Sequence, residues 1–322
     1  ADSDSDSGTG DCIDLDSDWW CLPFDCDDDD PDVNPGTTEI PGNDVDDNCN
    51  ELTDEEPAPE LRAELWYSAD DLLVWVSLDP ADGSVDEIVA SSMPGLEAGQ
   101  NSITMLEDGS LFGARLSNTD FLTRFWHVPD PPRDGSPIVP VELGTMPESI
   151  MLEAVYTDCD GRLYGMDTGT HVSTTEGNRL LRFTGDYLAG EFDYVVVSDW
   201  SLGDVPDIDD LGPGIGELGQ ITDNPGFAID SGYVYLFDYG VGNGTLAGPG
   251  GTWGIHALGG ALFDDGVSRL YLLDMTAQLF EMDPFSYAVS GVLGTGPAVT
   301  NGLPGWSGLS GPLTDCISGF VE

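Results

Sequence analysis

From residue 61 onward the chain is a succession of short apolar, β-rich runs punctuated by Gly, Asp, Asn and Pro. Residues 65–70 are followed by 72–79, 110–115 by 121–126, 161–167 by 179–183, and 269–274 by 278–284; residues 233–238 precede a glycine-rich insertion. No segment carries a helical period over the length of a helix, so the body is read as all-β. The units recur every 35 to 70 residues, roughly the scale of a four-stranded propeller blade with variable loops. The first run of each unit is read as the inner strand, with 87–90 and 194–197 as outer strands. Five such units are visible, and residues 317–321 read as a closing strand or the start of a sixth blade. The expected fold is therefore a β-propeller of five or six blades over residues 65–322, with a β-sandwich pair as the alternative.

The first sixty residues are different. They hold 22 acidic residues and no arginine, against 39 acids and all eight arginines in the remaining 262; the chain contains no lysine, and its formal net charge is −53. Such a charge excludes nucleic acid and anionic lipid as natural partners, because both are recognised by basic surface. It favours divalent cations, which relieve the self-repulsion. No apolar run is long enough to span a membrane as a helix. The chain opens at Ala1 without Met and carries six cysteines, which reads as an exported, extracellular or cell-surface protein with its signal peptide removed. Six cysteines allow fifteen connectivities, and sequence alone does not choose; spacing favours Cys12 with Cys21, Cys26 with Cys49, and Cys159 with Cys316. Cys159 and Cys316 each lie in a Thr-Asp-Cys context before an expected inner strand.

Within the arm, residues 25–55 carry the most specific pattern. Oxygen side chains recur at alternate positions in two runs, Asp25, Asp27 and Asp29 or Asp30, then Asp44, Asp46 and Asn48, framed by Cys26 and Cys49. Asn50 and Glu55 fall at the seventh and twelfth positions of an EF-hand-like loop beginning at Asp44, but Cys49 occupies its glycine position, so the backbone path must differ. A flexible loop presenting six to eight oxygens is what Ca²⁺ requires. Glu39 and Asp54 complete the candidate ligand set, and Asp14, Asp16 and Asp18 repeat the alternation, giving several expected Ca²⁺ ions.

Asp25-Cys26-Asp27-Asp28, Pro31, Asn34-Pro35-Gly36, Glu39-Ile40 and the second acidic run together resemble the metal-binding repeat of MopE-type bacterial surface and secreted proteins. The resemblance covers only this segment. Pro41 stands where the family usually has a middle cysteine, which leaves Cys26 and Cys49 as the pair it implies. MopE-type proteins include a copper binder that uses histidine and a modified tryptophan, so the resemblance also raises copper. The candidates here are Trp126-His127 and the scattered His171 and His256.

The expected organisation is an acidic arm (1–24), the MopE-like module (25–55), a proline-stiffened linker (56–64) and the propeller (65–322). Trp19, Trp20 and Phe24 form an apolar cluster in the otherwise polar arm, a candidate assembly contact. Motifs for haem attachment, a zinc helix, a phosphate loop or a nucleophile elbow are missing, and Asn243-Gly244-Thr245 is an isolated glycosylation-type sequon. The expectation is a non-enzymatic, calcium-stabilised structural or adhesive protein whose partner is a second copy of itself, assembled into a filament. A propeller hydrolase or lyase acting on surface polysaccharide, and a copper-binding surface protein, are the alternatives.

Overall fold

The computed structural model describes residues 63–95, 99–117, 119–147, 150–167, 179–199, 208–216, 219–230, 232–247, 254–261, 268–298 and 308–312, with residues 15, 20, 26, 27, 30, 31, 33, 34, 45, 46 and 49 of the arm. Two compact units divide the chain, Ala1–Glu60 and Leu61–Glu322. Among the described residues, the second unit is five four-stranded antiparallel sheets and one short 3-10 turn, Tyr187–Ala189.

Blade 1 contains β1 (Glu64–Ala69), β2 (Leu72–Leu78) and β3 (Val85–Ser92). Blade 2 is β4 (Gly99–Met105), β5 (Leu111–Ser117), β6 (Thr123–Val128) and β7 (Val141–Thr145). Blade 3 is β8 (Leu152–Thr157), β9 (Leu163–Asp167), β10 (Arg179–Phe183) and β11 (Tyr194–Asp199). Blade 4 is β12 (Asp210–Ile215), β13 (Ile221–Asp230), β14 (Tyr233–Asp238) and β15 (Asn243–Leu246). Blade 5 is β16 (Ile255–Ala261), β17 (Arg269–Asp274), β18 (Gln278–Met282) and β19 (Gly294–Thr295). The last strand, β20 (Leu309–Ser310), returns to pair with β1 as the inner strand of blade 1. The ring is thus closed by joining the two ends of the propeller in one sheet, and it has five blades. Residues 317–321 lie outside the described residues.

Apolar alternation builds the cores between blades. Successive side chains of a strand point to opposite faces, so Leu65 and Tyr67 pack toward Tyr271 and Leu273 of blade 5, while Trp66 packs with Met105, Leu111 and Trp126 of blade 2. The same rule seats Phe112 and Phe125 against Leu152 and Leu163, Tyr156 and Tyr164 against Phe237 and Tyr239, and Phe227 and Ile229 against Leu258 and Leu270. Strands buried on both faces read as continuous apolar runs. This explains one misassignment. The runs taken as inner strands are second strands (β1, β5, β9 and β17) or, at 233–238, a third strand (β14).

The true inner strands are rich in Gly, Ser and Thr because the axis has no room. A Cβ on Gly311 would lie 1.8 Å from the Gly260 carbonyl oxygen, and one on Gly259 would lie 2.6 Å from that of Leu309. The void along the axis, lined by Thr104, Tyr156, Gly212, Gly260 and Ser310 among others, is only about 10 Å³.

Much of the body's acidity serves its turns. Asp79, Asp82, Asp108, Asp120, Asp134, Asp158, Asp238, Asp274 and Asp283 each accept a bond from the backbone N–H two residues on. A short carboxylate that closes its own turn is favoured there on local grounds alone.

Candidate metal centre

In the arm, Cys26 and Cys49 form a disulfide across 23 residues of sequence. The bridge brings the two acidic runs together. Cys26 Sγ lies 3.4 Å from the Asp46 carbonyl oxygen, and the Cys26 N–H points to Cys49 Sγ at 3.1 Å. Asp27 and Asp46 therefore flank the same crosslink. The first run does not stay extended. Asp30 N–H donates to the Asp27 carbonyl at 2.9 Å and Val33 N–H to the Asp30 carbonyl at 3.0 Å, making two successive turns. Asn34 Nδ2 donates to the Pro31 carbonyl at 3.2 Å, and Val33 and Asn34 are buried.

The donor chemistry of the described part is oxygen only, because both sulfurs are consumed by the bridge and Asp27, Asp30 and Asp46 supply carboxylates. That set suits a hard cation. Among the described residues no group of three or more His, Cys, Asp or Glu stands ready to hold a metal. Asp14, Asp16, Asp18, Asp25, Asp29, Glu39, Asp44, Asn48, Asn50, Asp54 and Glu55 lie outside the described residues, as do Cys12, Cys21, Cys316, Trp19, Phe24 and His171. Trp20 is exposed. Cys159 is disulfide-bonded and sits in the turn between β8 and β9, before a second strand rather than an inner one.

The two described histidines lie on different blades. His127 lies on β6 of blade 2, with Nε2 2.9 Å from Ser110 Oγ, and burial lowers its pKa. His256 lies on β16 of blade 5, where Nδ1–H donates to the Gly254 carbonyl at 3.0 Å.

What sequence reasoning missed is at the axis. Inner strands present a free backbone edge, and its N–H groups need acceptors. Side chains of neighbouring blades supply them: Ser102 Oγ accepts from Val155 N–H, Thr104 Oγ1 from Thr157 N–H, and Ser310 Oγ from Met105 N–H, at 2.8, 3.0 and 2.9 Å. Asp210 Oδ2 accepts from Leu258 N–H at 3.0 Å and from Leu309 N–H at 3.4 Å, tying blade 4 to blades 5 and 1. Asp210 is fully buried, and desolvation drives its pKa well above the usual carboxylate range despite these bonds. Glu153 and His256, both buried, are the extra residues of bulges in β8 and β16. No sequence signal marked Asp210 or Glu153, since buried acids look like surface acids in a chain with 61 of them, and His256 stood out only as one of three scattered histidines.

Comparison with known proteins agrees on the arm and adds little on the body. Residues 25–55 match the family model Cu-binding MopE, described as a "Putative metal-binding motif". Among curated proteins none matches the chain. A chain of a nidogen/laminin complex is similar at 10% identity, covering 77% of this chain and 97% of that one, with a TM-score of 0.43. A Bacteroides thetaiotaomicron protein of unknown function is similar at 13% identity, covering 73% and 59%, with a TM-score of 0.42. The calcium-binding protein regucalcin of Agrobacterium tumefaciens is similar at 20% identity, covering 66% and 64%, with a TM-score of 0.37. The propeller assignment rests on the sheet topology of this chain itself. Fold and motif together define a five-bladed β-propeller protein with a metal-binding motif in its N-terminal arm. Among the described residues, no helix is long and apolar enough to cross a membrane.

Proposed function

We propose that this is an extracellular structural or adhesive protein whose arm is folded by Ca²⁺ and docks on a neighbouring copy to build a filament. The observation that carries the metal half is the Cys26–Cys49 bridge, which sets Asp27 beside the Asp46 segment with oxygen donors only. The ligands proposed around it are Asp25, Asp29, Asp30, Glu39, Asp44, Asn48, Asn50, Asp54 and Glu55, with a further ion at Asp14, Asp16 and Asp18. Copper, which prefers imidazole and sulfur donors, finds no imidazole in residues 25–55, and both sulfurs there are joined in the Cys26–Cys49 bridge. The division of the arm at residues 24, 55 and 64 belongs to the same proposal.

The assembly half rests on energy. A large aromatic side chain gains on the order of 2 kcal/mol by burial, and Trp19, Trp20 and Phe24 lie in a segment too acidic to build a core around them. An arm docking head to tail gives an open filament when the rotation does not close. Both surfaces are acidic, so divalent ions are needed to neutralise the contact.

The test is electron microscopy of the native secreted material, with and without Ca²⁺ at fixed ionic strength. Filaments that dissolve on chelation, and a soluble folded monomer after deletion of residues 1–24, are the expected results. A monomer at high concentration with Ca²⁺ present overturns the assembly reading, as does unchanged assembly after the deletion.

A further inference from the structure

Two of the chain's eight arginines meet in one cleft of the propeller. The cleft has a volume of about 310 Å³ and is walled by Pro94 and Gly95 after β3, by Arg115, Arg124 and Trp126 of β5 and β6, and by Val139, Pro140 and Glu142 at the start of β7. It lies where blades 1 and 2 adjoin, separate from the axis. Its size is at the lower end of the range for small-molecule pockets, roughly 300 to 1,000 Å³, which admits one ring and its substituents rather than a polymer.

The polar groups of this cleft are mostly donors. Arg115 is buried, and its guanidinium is anchored by donating to the Asp70 carbonyl. Arg124 is oriented by a two-pronged pair with Asp120 at 3.0 and 2.6 Å. Trp126 is buried in the wall, and among the described residues its Nε1–H has no acceptor. Ser117 adds a hydroxyl, and among the described residues Glu142 is the one carboxylate in the lining. Pro94, Val139, Pro140 and the indole offer flat apolar walls beside these donors. Planar guanidinium groups match a carboxylate in two-pronged geometry.

We propose that the cleft between blades 1 and 2 binds a small ligand made of one ring bearing a carboxylate. The carboxylate takes the Arg115 and Arg124 side, the ring lies against the proline and valine walls, and Glu142 accepts from a ring hydroxyl when there is one. Hydroxylated and aromatic rings share this chemistry, so the test carries both.

The experiment is calorimetric titration of the full-length protein with glucuronate and with benzoate, each beside its uncharged methyl ester. Binding of either acid at millimolar or tighter concentration, with its ester at least about ten-fold weaker, is expected. Arg124→Met should weaken that binding about ten-fold or more. Val139→Trp, at an exposed position on the rim, should block the cleft without disturbing the core. Tighter glucuronate identifies a sugar acid and tighter benzoate an aromatic acid. Binding of neither acid, equal binding of acid and ester, or binding unchanged in both folded variants overturns the proposal.

Discussion

Glu64 and Arg133, 69 residues apart, form a two-pronged ion pair at 2.6 and 2.7 Å that joins blade 1 to the β6–β7 connection of blade 2. The Glu64 carboxylate is buried and also accepts from Trp75 Nε1 at 2.6 Å, while the Arg133 guanidinium lies 5.6 Å from the centre of the Trp66 ring. The bond to Glu64 raises the Arg133 pKa. Ile138 N–H, donating to the Ser92 carbonyl at 2.8 Å, fastens the same connection further along.

Removing one partner of a buried pair leaves an uncompensated charge. Arg133→Ala should therefore destabilise the propeller by about 3 to 5 kcal/mol, discounted toward the lower figure because the arginine is partly exposed. Arg133→Lys should recover only part of that, since an ammonium cannot make both prongs. Urea unfolding followed by tryptophan fluorescence checks both, and a loss below ~1 kcal/mol for the alanine variant would show that the clamp is not structural.

Asp210 gives a pH dependence of unusual sign. Its carboxyl pKa is raised by burial in the fold, so the folded state holds a proton that the unfolded state has released. Stability contributed by this group is full below the unfolded carboxylate range and is lost as pH rises toward the folded value. Asp210→Asn keeps an acceptor for Leu258 and Leu309 and removes the titration. The variant should gain stability relative to the native chain as pH rises from 4 to 8. Asp210→Ala should lose about 1 to 3 kcal/mol by orphaning those N–H groups. Parallel denaturation curves for native and Asn variants at every pH would refute the assignment.

The turn aspartates act in the opposite direction. Bonds from the following Ser lower the pKa of Asp82, Asp134 and Asp283, so their contribution is present above the unfolded carboxylate range and lost as pH falls through the folded value. Hydrogen exchange of these hairpin amides should accelerate, relative to the intrinsic rate, as pH drops from 5 toward 2. Unchanged protection over that window would remove the carboxylates as turn locks.

Gly311→Ala should oppose ring closure, because its Cβ would fall 1.8 Å from the Gly260 carbonyl and 3.0 Å from that of Glu64. Backbone cannot yield as a side chain can, so the cost should reach or exceed the ~1 to 3 kcal/mol typical of overpacking. Gly291→Ala, where nothing lies within 4 Å and φ is not positive, controls for the loss of a glycine. A melting temperature no lower for the axial variant than for the control would contradict the tight axis.

In the arm, Asp27→Ala and Asp46→Ala should each weaken Ca²⁺ binding about ten-fold or more, as a hard cation loses a charged ligand. Chelation should make residues 11–55 protease-sensitive and leave the body resistant. Isothermal titration and limited proteolysis with mass mapping are the readouts; equal cleavage of arm and body would sink the claim. Reduction should act in the same direction, because opening the Cys26–Cys49 loop restores roughly 3 kcal/mol of chain entropy to the unfolded arm.

Local chemistry determined a good deal of this protein. Alternation of Leu65, Trp66 and Tyr67 can only serve a strand buried on both faces, and repeating that pattern with Asp-closed turns leaves a ring of small sheets as the natural solution. The acidic runs around Cys26 and Cys49 specify a metal-binding loop because ligand type and spacing are themselves local. Tertiary structure alone decided which strand faces the axis. Apolarity marks the strand squeezed between blades, whereas the innermost strand is chosen by the space left for a Cβ, a quantity that exists only once five blades converge. It also decided that Leu309 and Ser310 close the ring, that Glu64 meets Arg133, and that Asp210, one acid among 61, is the one holding three blades together. Each of these joins residues far apart along the chain, and burial and pKa follow from neighbours that no window of sequence contains.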